Sequence, residues 1–172
     1  MYNAITRSIE PELLPACRRY GIDVVVYNPI AGGIFSGKYK SADVPDEGRY
    51  SDTAPSGPMY RKRYFKDATF QALSIIEPVV EKAGLSLLET AFRWLTHHSQ
   101  LNIKDGGNDG IIIGVSSEAQ LEQNLKDLEK GPLPEEVLKA LDEAWLVAKP
   151  TTANYWHGEI NYTYDTKKAL GL

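Results

Sequence analysis

Three consecutive valines, Val24 to Val26, lead into Tyr27-Asn28-Pro29 and then into a loop containing Gly32, Gly33 and Gly37. This stretch constrains the fold more than any other. A dense β-branched run bounded by turn residues is the pattern of a strand buried on both faces, as in a parallel sheet covered by helices. Asn28-Pro29 stops the strand. Parallel α/β folds bind ligands on the loops that leave the carboxyl ends of their strands. Tyr27, Asn28 and the Gly32-Gly33 pair therefore form a candidate ligand site, with an ordinary turn as the competing reading.

The flanking sequence alternates in the same way. Ser8 to Tyr20 reads as a helix, with Pro15 marking a kink or a late start and Gly21 as its C-cap. The strand Ile22 to Tyr27 follows. Lys40 to Pro58 is polar and rich in Pro, Gly, Ser and Asp, the composition of a long surface loop. Asp67 to Ala83 is helical, with Phe70, Leu73, Ile76, Val79 and Val80 inward. Ser86 to His98 is the best-specified helix: Ser86 and Glu89 make a capping box, and Leu87, Leu88, Ala91, Phe92 and Leu95 form its apolar face. Gly110 to Val115, with Ile111, Ile112 and Ile113, reads as a second short buried strand.

Ser116 or Ser117 then caps a helix whose packing face is Leu121, Leu125 and Leu128. A strand that ends in Gly-x-Ser-Ser at a helix N-terminus suits an anion, because the backbone N–H groups, the hydroxyls and the dipole all favour one. A plain N-cap is the competing reading. Pro134 to Val147 is the next helix. The tail from Lys149 to Leu172 carries Tyr155, Trp156, Tyr162 and Tyr164. Such aromatics either dock on the body near the mouth of a site or form an interface. One domain is expected over residues 1–172, with its core in 1–148 and the tail in 149–172.

Composition narrows the partners. A net charge of −4 over 172 residues gives no electrostatic reason to expect nucleic acid or an anionic membrane. The run Arg61 to Arg63 reads as a solvated helix face. A single cysteine, Cys17, excludes an internal disulfide framework. No apolar run approaches the ~20 residues of a membrane span. No signal peptide is visible, so a cytoplasmic location is expected. His97 and His98 are adjacent on a helix and point in different directions, which argues against a shared metal.

The organisation is short of sheet. Two parallel strands leave open edges and cannot close a barrel. Either other segments become strands, or another chain supplies them, or the sequence is part of a larger domain.

Four separated segments carry a family resemblance: Met1-Tyr2-Asn3, Tyr27 to Tyr39, Phe92 to Leu101, and Gly114 to Pro134. In this order they resemble the aldo-keto reductase superfamily, in particular its aflatoxin-aldehyde reductase branch. The resemblance implies an α/β fold, the C-terminal half of a (β/α)8 TIM barrel, beginning at the end of the sixth strand and incomplete on its own. It implies NADP(H), with binding weakened or lost in an isolated half. On the family's pattern Tyr27 stacks on the nicotinamide, and Asn28, Pro29, Ile30, Ala31, Gly32 and Gly33 lie along the pyrophosphate. Lys38 and Arg49 resemble basic residues that meet cofactor phosphate. Ser116, Gln120, Gln123 and Asn124 resemble the segment that holds the adenosine and its 2′-phosphate.

Tyr2 and His157 are the corresponding substrate-binding candidates. His157 stands where the branch has an Arg for an acidic substrate group, and a neutral imidazole holds a carboxylate less well. The family's catalytic Asp, Tyr, Lys and His belong to its N-terminal half, so no catalytic residue is assigned on this chain. Two functions follow. One is NADPH-dependent reduction of a small aldehyde or ketone, complemented by the other half. The other is a non-catalytic or repurposed half-barrel that pairs with itself or with a complementary chain and binds a dinucleotide or a small biosynthetic intermediate.

Overall fold

The structure, a computed structural model, describes residues 1–104, 106–156 and 163–171. In chain order its elements are α1 (Leu13–Arg19), β1 (Val25–Val26), a 3-10 helix (Ala31–Ser36), α2 (Gly57–Tyr64), α3 (Asp67–Lys82), α4 (Leu87–His97), β2 (Gly110–Ile111), α5 (Glu118–Glu129), α6 (Glu135–Ala148), a second 3-10 helix (Lys149–Thr151) and α7 (Thr166–Ala169). β1 and β2 pair in parallel, Val25 opposite Gly110 and Val26 opposite Ile111. Gly110 N–H donates to the Val24 carbonyl and Ile112 N–H to the Val26 carbonyl. Tyr2 N–H donates to the Tyr27 carbonyl, so the first residues lie against the end of β1.

Only one face of this pair is covered. Val26 is 3% exposed and belongs to the core, whereas Val25 is 61% and Ile112 55% exposed. The expectation of burial on both faces is thus corrected: among the described residues, helices pack on one side of the strands and nothing packs on the other. Both strands are also shorter than the valine and isoleucine runs predict, because only two residues of each find a partner.

The helices follow local chemistry closely. α1 starts late, at Leu13, with Pro15 in its first turn where a missing N–H costs little. Gly21 ends it at φ 64°, and Ile22 N–H donates back to the Cys17 carbonyl, a Schellman closure. α3 runs through Pro78, on its exposed side, and packs along α6. Leu73, Ile76 and Val80 from α3 and Val137, Leu141 and Ala144 from α6 are all in the main apolar cluster.

On α4, the Ser86 hydroxyl accepts from Glu89 N–H at 3.0 Å. The reciprocal half of the capping box is diverted. The Glu89 carboxylate instead meets Arg93 at 2.6 Å and Lys130 at 2.9 Å. Burial pushes its pKa up, but these two cations outweigh burial and hold it below the ordinary value. Trp94, absent from the sequence-predicted face, is 2% exposed. It stacks edge-on against Tyr2, with the Arg7 guanidinium 4.5 Å from its ring centre. His97 and His98 are structural. His98 Nε2 accepts from Leu133 N–H at 2.8 Å, while His97 contacts the Lys130 carbonyl and Lys104.

α5 is rolled about its axis relative to the sequence reading. Leu121 and Leu125, expected inward, are 39% and 47% exposed, and the buried residues are Asn124 and Asp127. The cause lies on α4. Lys130 bridges Asp127 and Glu89, each at 2.9 Å, and Gln123 donates to Asp127. This polar contact turns the hydrophilic stripe of α5 toward α4 and Leu121 and Leu125 away, while Leu128 stays half-buried. The tail is docked at least to Tyr155: Lys66 donates to the Thr151 carbonyl and the Tyr155 hydroxyl to Glu12. No helix among the described residues is long and apolar enough to cross a membrane.

Candidate functional site

Because β1 and β2 are parallel and in register, the loops that follow them leave the same edge of the pair. The first loop is built from left-handed backbone. Asn28 has φ 59° and Ala31 φ 50°, and Gly32, Gly33 and Gly37 are also positive. For a residue with a Cβ this region costs roughly 1–2 kcal/mol. The surroundings hold it in place. The Asn28 carbonyl accepts from the Asn3 side chain at 2.9 Å and from Ala31 N–H at 3.0 Å. The Asn28 amide donates to the Tyr64 hydroxyl, and the Tyr50 hydroxyl donates to the Ala31 carbonyl.

Gly32 and Gly33 have opposite surroundings. A Cβ on Gly32 would lie 2.9 to 3.0 Å from atoms of Tyr50, Tyr60 and Tyr64, whereas one on Gly33 would meet nothing within 4 Å. Gly32 is packed against a tyrosine wall. Gly33 presents open backbone of the type that a ligand phosphate can approach. Asn28 and Pro29 are buried and support the loop from below, while Tyr27 and Ile30 are half-buried. Tyr27 shares the uncovered strand face with Val25 by the period of two. Lys38 and Arg49 are exposed, and the Arg49 guanidinium stacks 4.8 Å from the Tyr60 ring centre.

The second loop enters α5. Ser117 is the N-cap, its hydroxyl accepting from Gln120 N–H. The Gln120 side-chain oxygen accepts from both the backbone N–H and the hydroxyl of Ser116, each at 3.0 Å. Ser116, Ser117 and Gln120 are exposed at the positive end of a 12-residue helix. The predicted quartet therefore divides. Ser116 and Gln120 are brought together, Gln123 is exposed but turned to Asp127, and Asn124 lies beneath them at 5% exposure.

Tyr2 is not on this surface. It is fully buried, its hydroxyl donating to Glu10 at 2.6 Å and accepting from Gln100 N–H at 3.0 Å. Burial raises its pKa strongly, which makes it a poor proton donor. The candidate His157 lies outside the described residues.

One group of residues escaped the sequence reading. An open cleft of about 700 Å³ is lined by Met59, Lys62, Arg63 and Lys66 from the α2 region and by Asn154 and Trp156 from the tail. Burial, and then the charge of Lys62, lowers the Lys66 pKa. Arg63 directly precedes Tyr64, the residue whose hydroxyl accepts from the Asn28 side chain. Lys62 and Arg63 end α2 while Lys66 is the extended N-cap of α3, so no helical spacing signals the cluster. Among the described residues no group of three His, Cys, Asp or Glu side chains is placed to hold a metal.

Known proteins resemble this chain along most of its length. The model of the aldo/keto reductase family matches residues 1–146. An aldo-keto reductase of Pseudocercospora fijiensis is 43% identical over 157 residues, 90% of this chain and 52% of its own length. The aflatoxin B1 aldehyde reductase member 2 of Rattus norvegicus is 40% identical over 163 residues, 91% of this chain and 44% of its own. A glycerol dehydrogenase structure from Gluconobacter oxydans superimposes with a TM-score of 0.57 at 24% identity, covering 92% of this chain and 44% of that one. The chain thus spans about half the length of the curated relatives it matches. It belongs to the aldo/keto reductase family.

Proposed function

We propose that this chain is the dinucleotide-binding part of an NADPH-dependent reductase of aldehydes or ketones, and that the cleft beside it receives carbonyl substrates bearing an anionic group. The observation that carries the reading is the shared edge: two parallel strands deliver an open glycine backbone and an exposed, serine-capped helix N-terminus side by side. These donors suit a ligand with phosphate at two places. Gly33 offers open backbone that a phosphate can approach, Lys38 and Arg49 offer exposed positive charge, and Ser116 with the α5 N-terminus offers a second anion site. Tyr27 offers a half-buried aromatic ring between them. When bound, NADPH supplies hydride to the carbonyl carbon.

This chain's residues bind and orient. Tyr2, the buried tyrosine near the first loop, is held protonated by its surroundings, and no acid for the carbonyl oxygen is assigned here. On the family's pattern the proton donor belongs to the part of the relatives that this chain does not match. The substrate class follows from Lys62, Arg63 and Lys66. Three cations around one cleft favour a carboxylate or similar group, which compensates for His157 in place of an Arg.

Two measurements test the reading. Ser116→Ala is expected to weaken NADPH binding by about tenfold, as for loss of a hydrogen bond to a charged group, and NADH binding much less. Equal losses, or no binding of either nucleotide, would refute the 2′-phosphate assignment. Lys62→Glu with Lys66→Glu is expected to abolish binding of 4-carboxybenzaldehyde, followed by Trp156 fluorescence, while leaving benzaldehyde unaffected. A parallel change for both aldehydes would remove the anionic-substrate reading.

A further inference from the structure

Neither the nucleotide surface nor the cationic cleft uses the end of α4, which grips the turn between α5 and α6. Arg93 Nε donates to the Gly131 carbonyl and Arg93 Nη2 to the Pro132 carbonyl, each at 2.6 Å. His97 Nε2 lies 2.6 Å from the Lys130 carbonyl, and His98 Nε2 lies 2.8 Å from Leu133 N. Leu133 is 6% exposed, and its side chain belongs to the main apolar cluster. Its neighbours Pro132 and Pro134 have no N–H to offer, and among the described residues Leu133 N–H has no second acceptor. These contacts differ in how they answer a proton. A carbonyl only accepts, so Arg93 and His97 are donors to the turn. The Lys104 ammonium, 2.7 Å from His97 Nδ1, only donates, which places the His97 proton on Nε2. A second proton on His97 therefore leaves its bond to Lys130 intact. A backbone N–H only donates, so His98 Nε2 carries a lone pair and the ring proton sits on Nδ1. Imidazolium has N–H at both nitrogens, so a proton on Nε2 sets two donors against each other.

We infer that His98 is a proton-sensitive latch: as a neutral imidazole it pins the turn between α5 and α6 through Leu133, and on taking up a proton it lets that turn go while both helices stay folded. The charged surroundings of His98 agree with this. On α4 they are His97 and Arg93, in the loop after it Lys104, and on α6 Asp142, itself held by Arg7 at 2.7 Å. The turn's own ionisable side chain, Lys130, is turned to Glu89 and Asp127, each at 2.9 Å. Burial first, and then His97, Arg93 and Lys104, lower the His98 pKa from 6.5, while Asp142 opposes them. The folded value of this base is therefore depressed. Its contribution is complete above the ordinary imidazole value and is lost as pH falls through the folded one. Glu89, held ionised by Arg93 and Lys130, keeps α5 on α4 through that window, so the release is confined to the turn.

The test follows the Leu133 amide by hydrogen exchange, each rate divided by the intrinsic rate at the same pH, with the His98 ring nitrogens read by NMR. Between about pH 8 and about pH 5, Leu133 protection is expected to fall about tenfold with the midpoint of the His98 titration, while the amides of Asn124 in α5 and Leu141 in α6 keep theirs. His98→Gln, which sets a non-titrating acceptor near the position of Nε2, is expected to keep Leu133 protected across the range. His97→Gln is expected to lose that protection as the wild type does. Protection that ignores the His98 titration, a loss that survives in His98→Gln, or a loss abolished by His97→Gln overturns the latch. An equal loss at Asn124 and Leu141 overturns its confinement to the turn. Should His98→Gln misfold or fail to hold the turn in the neutral range, the wild type decides. One midpoint shared by the His98 ring and the Leu133 amide supports the latch, and two separate midpoints overturn it.

Discussion

Asp109→Ala is expected to destabilise the protein by about 3 kcal/mol, measured as a shift in urea midpoint at constant slope. The carboxylate is buried, and three groups converge on it. Arg18 donates through both terminal nitrogens, Val24 N–H donates at 2.7 Å, and Asn102 N–H at 2.6 Å. Removing the carboxylate strands two backbone donors and leaves a guanidinium that is one-third exposed and partly able to rehydrate. A loss of this size is a large fraction of a typical domain's stability. Burial pushes the Asp109 pKa up, but Arg18 and the two N–H donors outweigh it and hold the pKa below 3.8. The folded value is therefore depressed. Its contribution is complete above the ordinary carboxylate range and is lost as pH falls through the folded value. Wild-type and Asp109→Ala stabilities should converge in strong acid. A difference undiminished in strong acid would contradict the ion pair as its source.

Gly32→Ala is expected to cost about 3 kcal/mol and to abolish dinucleotide binding together. The added methyl meets the Tyr50 hydroxyl and the rings of Tyr60 and Tyr64 at about 3 Å, at a φ of 67°. Left-handed strain contributes roughly 1–2 kcal/mol and overpacking a similar amount. Tyr50 and Tyr64 are also the residues that hold Ala31 and Asn28, so the loop moves with them. Gly33→Ala is the control. It has the same chemistry and open space, so it should show backbone strain alone. Equal stability losses at the two positions would show that the tyrosine wall does not matter.

The contrast between those glycines was not visible in the chain as written, although the loop itself was. Features decided within a few residues were legible: the αL closure at Gly21, the Ser86 cap, the Ser117 cap, and the existence of a strand within Ile22 to Tyr27. Features decided by distant partners were not. Leucine spacing on α5 predicts an inward apolar stripe, but Glu89, far earlier in the chain, selects the polar stripe through Lys130 and Asp127. Asp109 sits among Gly and Asn residues and reads as a turn former, yet it ties α1 to both strands. The cationic cleft needs Lys62 and Lys66 beside Trp156, a juxtaposition that the tail creates only on folding. The family resemblance names Tyr2 as a substrate-binding candidate, and packing buries it completely.

The ionic fastening of α5 has a dynamic consequence. α3 and α6 are joined by hydrocarbon, which acid and salt scarcely weaken, whereas α5 is held to α4 largely by Glu89, Lys130 and Asp127. Acid strong enough to protonate Glu89, or high ionic strength, should therefore release α5 as a separate cooperative unit, its amides exchanging with deuterium while those of α3 stay protected. The serine-capped end would leave with it, so nucleotide affinity should fade before any global melting is seen.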